Sequence, residues 1–204
     1  MKNIKHWIVK NPDLAFAVLL AICVYSYFAL TNEFFATHRT GYAIMERFAV
    51  LGLVGLALTL CIIAGEIDLS IGSNAALAAV IVVRFTDSLG AVTALLIAIL
   101  ISTLVGAIQG YFIAYLRVRA IVLTVGTLML LRGVALFAAQ EKTVMLTDFR
   151  VPDFISTKMF LYFSPASLLV IAMFIVVGLF MTFTRYGREI YAIGGARKEA
   201  IAAG

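Results

Sequence analysis

Long stretches without a charged side chain constrain this chain more than any other feature. About 20 apolar residues in a helix cross the hydrocarbon core of a bilayer, and stretches of this kind recur along the sequence. The longest, 89–116, has 28 uncharged residues, enough for a tilted span. We therefore predict an all-α, polytopic integral membrane protein with about six transmembrane helices, at 14–30, 48–65, 66–83, 89–116, 121–139 and 160–184.

The composition agrees with this class and excludes others. Hydrophobic residues make up 63% of the 204 positions and charged residues only 13%, whereas roughly a quarter of a soluble protein is charged. The net charge is +5, but the basic residues are scattered between apolar stretches and form no cationic face. This pattern excludes a nucleic-acid partner and favours contact with membrane lipid.

The distribution of Lys and Arg predicts the orientation. With the N-terminus in the cytoplasm, the inner segments hold nine of these residues and the outer segments six, as the positive-inside rule expects. The segments 31–47 and 140–158 then face the outside, and 117–119 and the tail 185–204 face the cytoplasm.

The segment 65–73, Gly-Glu-Ile-Asp-Leu-Ser-Ile-Gly-Ser, opens the third predicted span with polar residues. Asp68 and Ser70 are typical helix N-caps, so an ordinary joint between two helices accounts for them. Lipid cannot satisfy a carboxylate, so the same residues also predict an interrupted helix that lines a polar path. The two interpretations are compatible.

A second polar feature, Thr124-Val125-Gly126-Thr127 with Arg132, lies in the fifth predicted span. An arginine in mid-membrane costs roughly 2.5–3.5 kcal/mol on insertion scales. We therefore expect Arg132 to face the bundle interior or an aqueous cavity, or to snorkel. A structural ion pair with Asp68 or Glu66 and a role in the path both stay open.

The tail 185–204 is basic and glycine-rich, with a break at Gly194-Gly195. Its composition alone indicates an ordinary amphipathic segment next to the membrane. The small residues of 199–203 also favour a short helix that docks closely in a partner's groove.

Motifs for catalysis and for phosphate or zinc binding are absent from the sequence. It has no P-loop, no His-Glu-x-x-His and no Gly-x-Ser-x-Gly pattern. We expect a conduit or scaffold, not an enzyme, with no metal and no cofactor held by this chain.

The three polar features together resemble the permease subunits of bacterial ABC importers for sugars, the ribose, xylose, galactose and autoinducer-2 type. The family's Gly-Ile-Asp-Leu-Ser-Val-Gly-Ser stretch is matched at 66–73 and its Thr-Leu-Gly-Thr…Arg-Gly stretch at 124–133. Its Gly-Arg…Ala-Ile-Gly-Gly-Asn…Glu-Ala-Ala…Gly stretch is matched at 187–204. The chain departs from the usual pattern at Glu66, at Gln109, at 119–120 and at 196–198.

The resemblance implies import of a monosaccharide or related polyol across the inner membrane. It implies a fold of about ten spans, of which 1–204 would be the N-terminal part of a single permease domain. The implied partners are a cytoplasmic ABC ATPase that carries ATP and Mg²⁺, a periplasmic sugar-binding protein and a second permease subunit. The path would include Asp68, Ser70, Thr124, Gly126, Thr127 and Arg132. The tail 185–204 would be a cytoplasmic loop that couples to the ATPase through Gly187, Arg188, Tyr191, Ala192, Gly194, Gly195, Glu199, Ala200 and Gly204.

Two other classes of function stay open on the sequence. One is a secondary transporter or channel without an ATPase, in which Asp68 and Arg132 form an ion relay. The other is a membrane scaffold that transports nothing.

Overall fold

The computed structural model describes residues 10–140, 142, 145 and 149–202. Helices and the turns between them make up the fold of these residues. The helices are α1 (Pro12–Thr31), α2 (His38–Ile63), α3 (Ile71–Leu89), α4 (Ala91–Ala114), α5 (Ala120–Ala138), α6 (Arg150–Ile155), α7 (Pro165–Phe183) and α8 (Arg185–Ala202).

Five of the described helices, α1, α2, α4, α5 and α7, are long and apolar enough to cross a bilayer. The predicted all-α, polytopic membrane class is confirmed. The third predicted span, 66–83, differs from the other five. Its first residues, 66–70, are not helical, and the helix that follows runs on to Leu89 and carries Arg84 and Asp87.

The position of α3 explains its more polar composition. It packs against both α4 and α5, and the three helices share one apolar core formed by Leu77, Ile81, Ala98, Leu131 and Ala135. A helix covered by neighbouring helices needs no uniformly apolar surface, so α3 also buries Ser73 and Thr86. By contrast, none of the residues of α1 is buried.

The helix α2 begins at His38, ten residues before the predicted span 48–65. At 26 residues it is about 39 Å long, more than the roughly 30 Å of a hydrocarbon core. Its first turns meet the segment before α7. The Tyr42 hydroxyl donates to the Ser156 carbonyl, Lys158 Nζ lies 4.9 Å from the centre of the Tyr42 ring, and Glu46 accepts a hydrogen bond from Ser164 Oγ.

The tail forms a helix much longer than the short one that the small residues of 199–203 favour. The helix α8 extends from Arg185 to Ala202, with a break at Ala196 (φ −156°, ψ 79°), directly after the Gly194-Gly195 pair. It follows α7 through a sharp turn at Thr184, and a Cβ on Gly187 would overlap the backbone of Met181. The helix packs against α7 and the end of α2, so backbone hydrogen bonds and these contacts order a sequence too polar to form a span.

The segments that connect the helices lie at the two ends of the bundle. The segment 64–70, the turn 115–119 and α8 lie at one end, which we call the tail end. Contacts between Gly65 and Gly194, and a cavity shared by Gly65 and Arg119, join the three segments there. Two of these segments, 117–119 and the tail, are the ones predicted to lie on the same, cytoplasmic side, and the side of the membrane that this end faces stays a prediction.

Candidate functional site

Ser70 is the centre of a polar cluster within the apolar bundle. Its side chain is 1% exposed and stands at the N-cap position of α3. Its hydroxyl donates to Asp68 Oδ1 at 2.7 Å and accepts from Gln109 Nε2 at 2.9 Å, and its backbone N–H donates to the same carboxylate oxygen at 2.8 Å. The sequence predicts a cap at Asp68 or Ser70, but the Ser70 side chain makes no cap hydrogen bond to α3. Instead, the hydrogen bond between the Ser70 hydroxyl and Gln109 joins the segment 64–70 to α4.

Thr124 connects the same segment to α5. Its side chain is 1% exposed, and its hydroxyl lies 3.4 Å from the Ile67 carbonyl and 3.5 Å from that of Ile121. Gln109 is five residues before the end of α4 and Thr124 four residues after the start of α5. At 1.5 Å per residue, the cluster lies about 6–8 Å inside the tail end of the bundle.

An open cavity of about 380 Å³ adjoins the cluster at this end. Its lining includes Glu66, Ile67 and Arg119, so it combines one carboxylate, one guanidinium and apolar side chains. The carboxylate and the guanidinium of this lining can exchange hydrogen bonds with a polar solute, whereas the side chains of the cluster itself do not line the cavity. Among the described residues, no group of three or more His, Cys, Asp or Glu side chains is placed to hold a metal ion.

The other predicted path residues lie away from this cluster. Gly126 is exposed, and the half-buried Thr127 uses its hydroxyl within α5, donating to the Leu123 carbonyl at 2.9 Å. Arg132 is eight residues beyond Thr124, about 12 Å along the helix axis.

Arg132 is exposed, because Leu131 and Ala135 occupy the buried face of α5. The ion pair of Arg132 with Asp68 or Glu66, one of the two possibilities that the sequence left open, is not formed among the described residues. Glu66 pairs with Arg197, and Asp68 accepts from Ser70. The structure therefore gives no support to an ion relay between Asp68 and Arg132.

The tail docks on this end of the bundle at two points. Gly194 lies so close to the end of α2 that a Cβ there would overlap the Ile63 carbonyl oxygen. Its Cα is 3.3 Å from where a Cβ on Gly65 would stand, and Gly65 has φ +79°, which favours glycine. Three residues on, Arg197 Nη1 lies 3.1 Å from Glu66 Oε1.

The remaining predicted coupling residues are mainly at the surface of α8. Gly187 is buried in the turn against α7 and Ala200 is half-buried, whereas the others in the described part are exposed: Arg188, Tyr191, Ala192, Gly195 and Glu199. Gly204 lies outside the described residues.

Sequence reasoning missed two contributors to this site. Gln109 was noted only as a departure from a family pattern, yet it is 7% exposed and binds Ser70. An uncharged amide within a 28-residue apolar stretch is a signal that could have identified it. Asn74, one turn after Ser70, also reaches α4 through the Ser102 carbonyl at 3.4 Å, and its Oδ1 is buried without a hydrogen-bond partner.

Comparisons with known proteins identify the family. Residues 42–204 match the family described as branched-chain amino acid transport system / permease component. The chain is 26% identical over 199 residues to the autoinducer 2 import system permease protein LsrC of Photorhabdus luminescens, covering 94% of this chain and 59% of that protein. It is 28% identical over 193 residues to the inner membrane ABC transporter permease protein YjfF of Escherichia coli K12, covering 90% and 57%.

The LsrC protein of Yersinia pseudotuberculosis is 27% identical over 197 residues, which are 93% of this chain and 55% of that protein. The chain thus spans somewhat more than half the length of these relatives. No solved structure matches it significantly.

Proposed function

This chain belongs to the family of permease components of transport systems, and from that membership we propose that it is the membrane subunit of an ATP-binding-cassette importer. The proposed cargo is a monosaccharide or related small polyol, and the proposed location is the bacterial inner membrane with the N-terminus in the cytoplasm. Relatives whose names describe ABC or autoinducer 2 import permeases support the class of transporter.

The structural observation that carries the proposal is the cluster of half-buried Asp68 with buried Ser70 and Gln109. Buried polar side chains within an apolar bundle are costly, and they are typical of solute paths in transporters. Asp68 and Ser70 lie in the non-helical residues directly before α3, a position that fits a broken helix beside a path. We propose that Asp68, Ser70 and Thr124, together with Gln109, hydrogen-bond the solute as it passes; Gly126, Thr127 and Arg132 stay predicted path residues.

The partners belong to the same proposal. A cytoplasmic ABC ATPase carrying ATP and Mg²⁺ would grip the exposed face of α8, a periplasmic binding protein would deliver the sugar, and a second permease subunit would complete the path. Exposed cationic side chains on α8, at Arg185 and Arg188, support docking to a partner surface with acidic groups. The ATPase-independent alternative is not favoured, because Asp68 and Arg132 do not meet.

The test is uptake of radiolabelled pentoses, hexoses and polyols by proteoliposomes that hold the permease with the ATPase that co-purifies with it. We expect uptake to need ATP and to fail with a non-hydrolysable analogue. Uptake driven by a proton or sodium gradient without ATP would overturn the proposal.

A charge reversal on α8 tests the docking surface within the same experiment. Arg188→Glu should lower co-purification of the ATPase without lowering membrane insertion of the permease. Arg39→Glu, the same change at an exposed position near the opposite end of the bundle, is the matched control and should leave co-purification unchanged.

A further inference from the structure

The segment 64–70 makes contacts to three different elements within a few residues. Glu66 pairs with Arg197 of α8, the Ile67 carbonyl meets Thr124 of α5, and Ser70 binds Gln109 of α4. An extended chain covers at most about 3.6 Å per residue, so Glu66 and Ser70 are separated by no more than roughly 14 Å. Because the stretch of backbone between them is short, a displacement of Glu66 also displaces Asp68 and Ser70.

Two contacts on α8, one on each side of its break, hold this segment. Before Ala196, Gly194 lies in backbone contact with Ile63 and Gly65. After Ala196, Arg197 reaches Glu66. The glycine contact fixes the separation of the two backbones, and the ion pair fixes the direction of the segment that leads to the cluster.

We propose that Glu66 and Arg197 are positioning residues that join α8 to the segment 64–70, so that a partner that moves α8 also moves Asp68 and Ser70. This inference rests on the proposed function, because it names the contact through which ATPase docking would change the polar cluster. Glu66 and Arg197 are coupled to the path, whereas the exposed residues of α8 bind the ATPase.

The energetic character of the pair fits this role. Its side chains are 32% and 45% exposed, and exposed ion pairs contribute little to the stability of a fold. Neutralising either residue should therefore leave the bundle folded and loosen only the connection between α8 and the segment.

The chain contains a matched control in the same helix. Arg185 Nε lies 2.6 Å from Glu189 Oε1, an exposed pair one turn apart within α8. Arg185→Gln and Glu189→Gln remove the same charges as Arg197→Gln and Glu66→Gln, but they break no contact between elements.

The first experiment measures hydrogen exchange in the purified permease, without ATPase or substrate. Arg197→Gln should accelerate amide exchange across 64–70 by about two- to fivefold, the range that an exposed pair supports, although the changed residue lies 131 positions away from Glu66. Arg185→Gln should leave exchange across 64–70 at the parent rate. Unchanged exchange in Arg197→Gln would overturn the inference, whatever the transport activity.

The second experiment measures solute molecules moved per ATP hydrolysed in proteoliposomes. Glu66→Gln and Arg197→Gln should lower this ratio about two- to fivefold while ATPase co-purification stays at the parent level. The charge exchange Glu66→Arg with Arg197→Glu should restore it, and Glu189→Gln should not change it.

The outcomes separate the two proposals. Normal coupling in both single variants, or no recovery in the exchanged pair, would overturn the positioning role while leaving the importer intact. A parent permease without ATP-dependent uptake would overturn the importer and the coupling together, and the exchange experiment would then still report whether the contact between the two elements exists.

Discussion

Gln109 of α4 donates a hydrogen bond to Ser70, at 2.9 Å between Nε2 and Oγ, and both side chains are buried. The bond joins the non-helical segment before α3 to α4, a helix of 24 residues that is otherwise strongly apolar. Ser70 is also bonded to Asp68, whereas the apolar residues around Gln109 offer its amide no substitute for this bond.

The first prediction concerns the loss of this bond. Ser70→Ala removes the acceptor of Gln109 and one donor to Asp68, so it should lower the free energy of unfolding by about 1–2 kcal/mol. Unfolding by SDS titration in mixed micelles measures the change. Ser88→Ala is the control, because Ser88 is exposed at the other end of the same helix and bonds only to the nearby Phe85 carbonyl in the described structure. Equal stability of the two variants would contradict the role assigned to Ser70.

The second prediction separates the shape of Asp68 from its charge. Asp68 Oδ1 accepts from both the backbone and the hydroxyl of Ser70, and an asparagine oxygen can accept the same two bonds. Asp68→Asn should therefore keep the free energy of unfolding and lower solute uptake, whereas Asp68→Ala should lose about 1.5–3 kcal/mol of stability as well. Normal uptake by Asp68→Asn would show that transport does not need the carboxylate charge.

The third prediction compares two neighbouring glycines. A Cβ at Gly194 would overlap the Ile63 carbonyl, but one at Gly195 meets no heavy atom within 4 Å. Gly194→Ala should therefore displace α8 at an overpacking cost of about 1–3 kcal/mol and accelerate amide exchange across 185–202. In Gly195→Ala, amide exchange across 185–202 should proceed at the parent rate. If the two variants behave alike, α8 does not dock through Gly194.

The fourth prediction concerns topology. In a chain with Cys23→Ala and Cys61→Ala, an impermeant maleimide applied to intact cells should label Phe34→Cys but should not label Tyr186→Cys. Both positions are exposed, and they lie toward opposite ends of the bundle.

A third cysteine checks the grouping of segments at the tail end. Leu116→Cys lies in the exposed turn between α4 and α5. Like Tyr186→Cys, it should be labelled only after the cells are permeabilised. Strong external labelling of Tyr186→Cys would place α8 outside the cell and remove it from the reach of a cytoplasmic ATPase.

Hydropathy and local pattern were enough to predict the class of fold and most of its helices. Apolar stretches of membrane length dictate helices, because a backbone in lipid must satisfy its own hydrogen bonds. The polar residues at Asp68, Ser70 and Thr124 stand out by their chemistry alone, and the structure brings all three to one small region.

Local pattern does not determine which distant residues meet. The sequence marked Glu66 and the segment 196–198 as separate departures from a family pattern, and it left open an ion pair of Arg132 with Asp68 or Glu66. Helix packing instead exposes Arg132 and places Arg197, 131 positions from Glu66, beside it.

The sequence by itself determined that this chain is a helical membrane protein with polar residues at the start of its third span, because the cost of polar groups in lipid depends on composition and local order. Only the tertiary structure decided that Gln109 completes the cluster, that Arg197 pairs with Glu66 and that Gly194 admits no side chain. These contacts depend on how the helices pack, and packing is set by the fit of whole helix surfaces, which no single stretch of sequence contains.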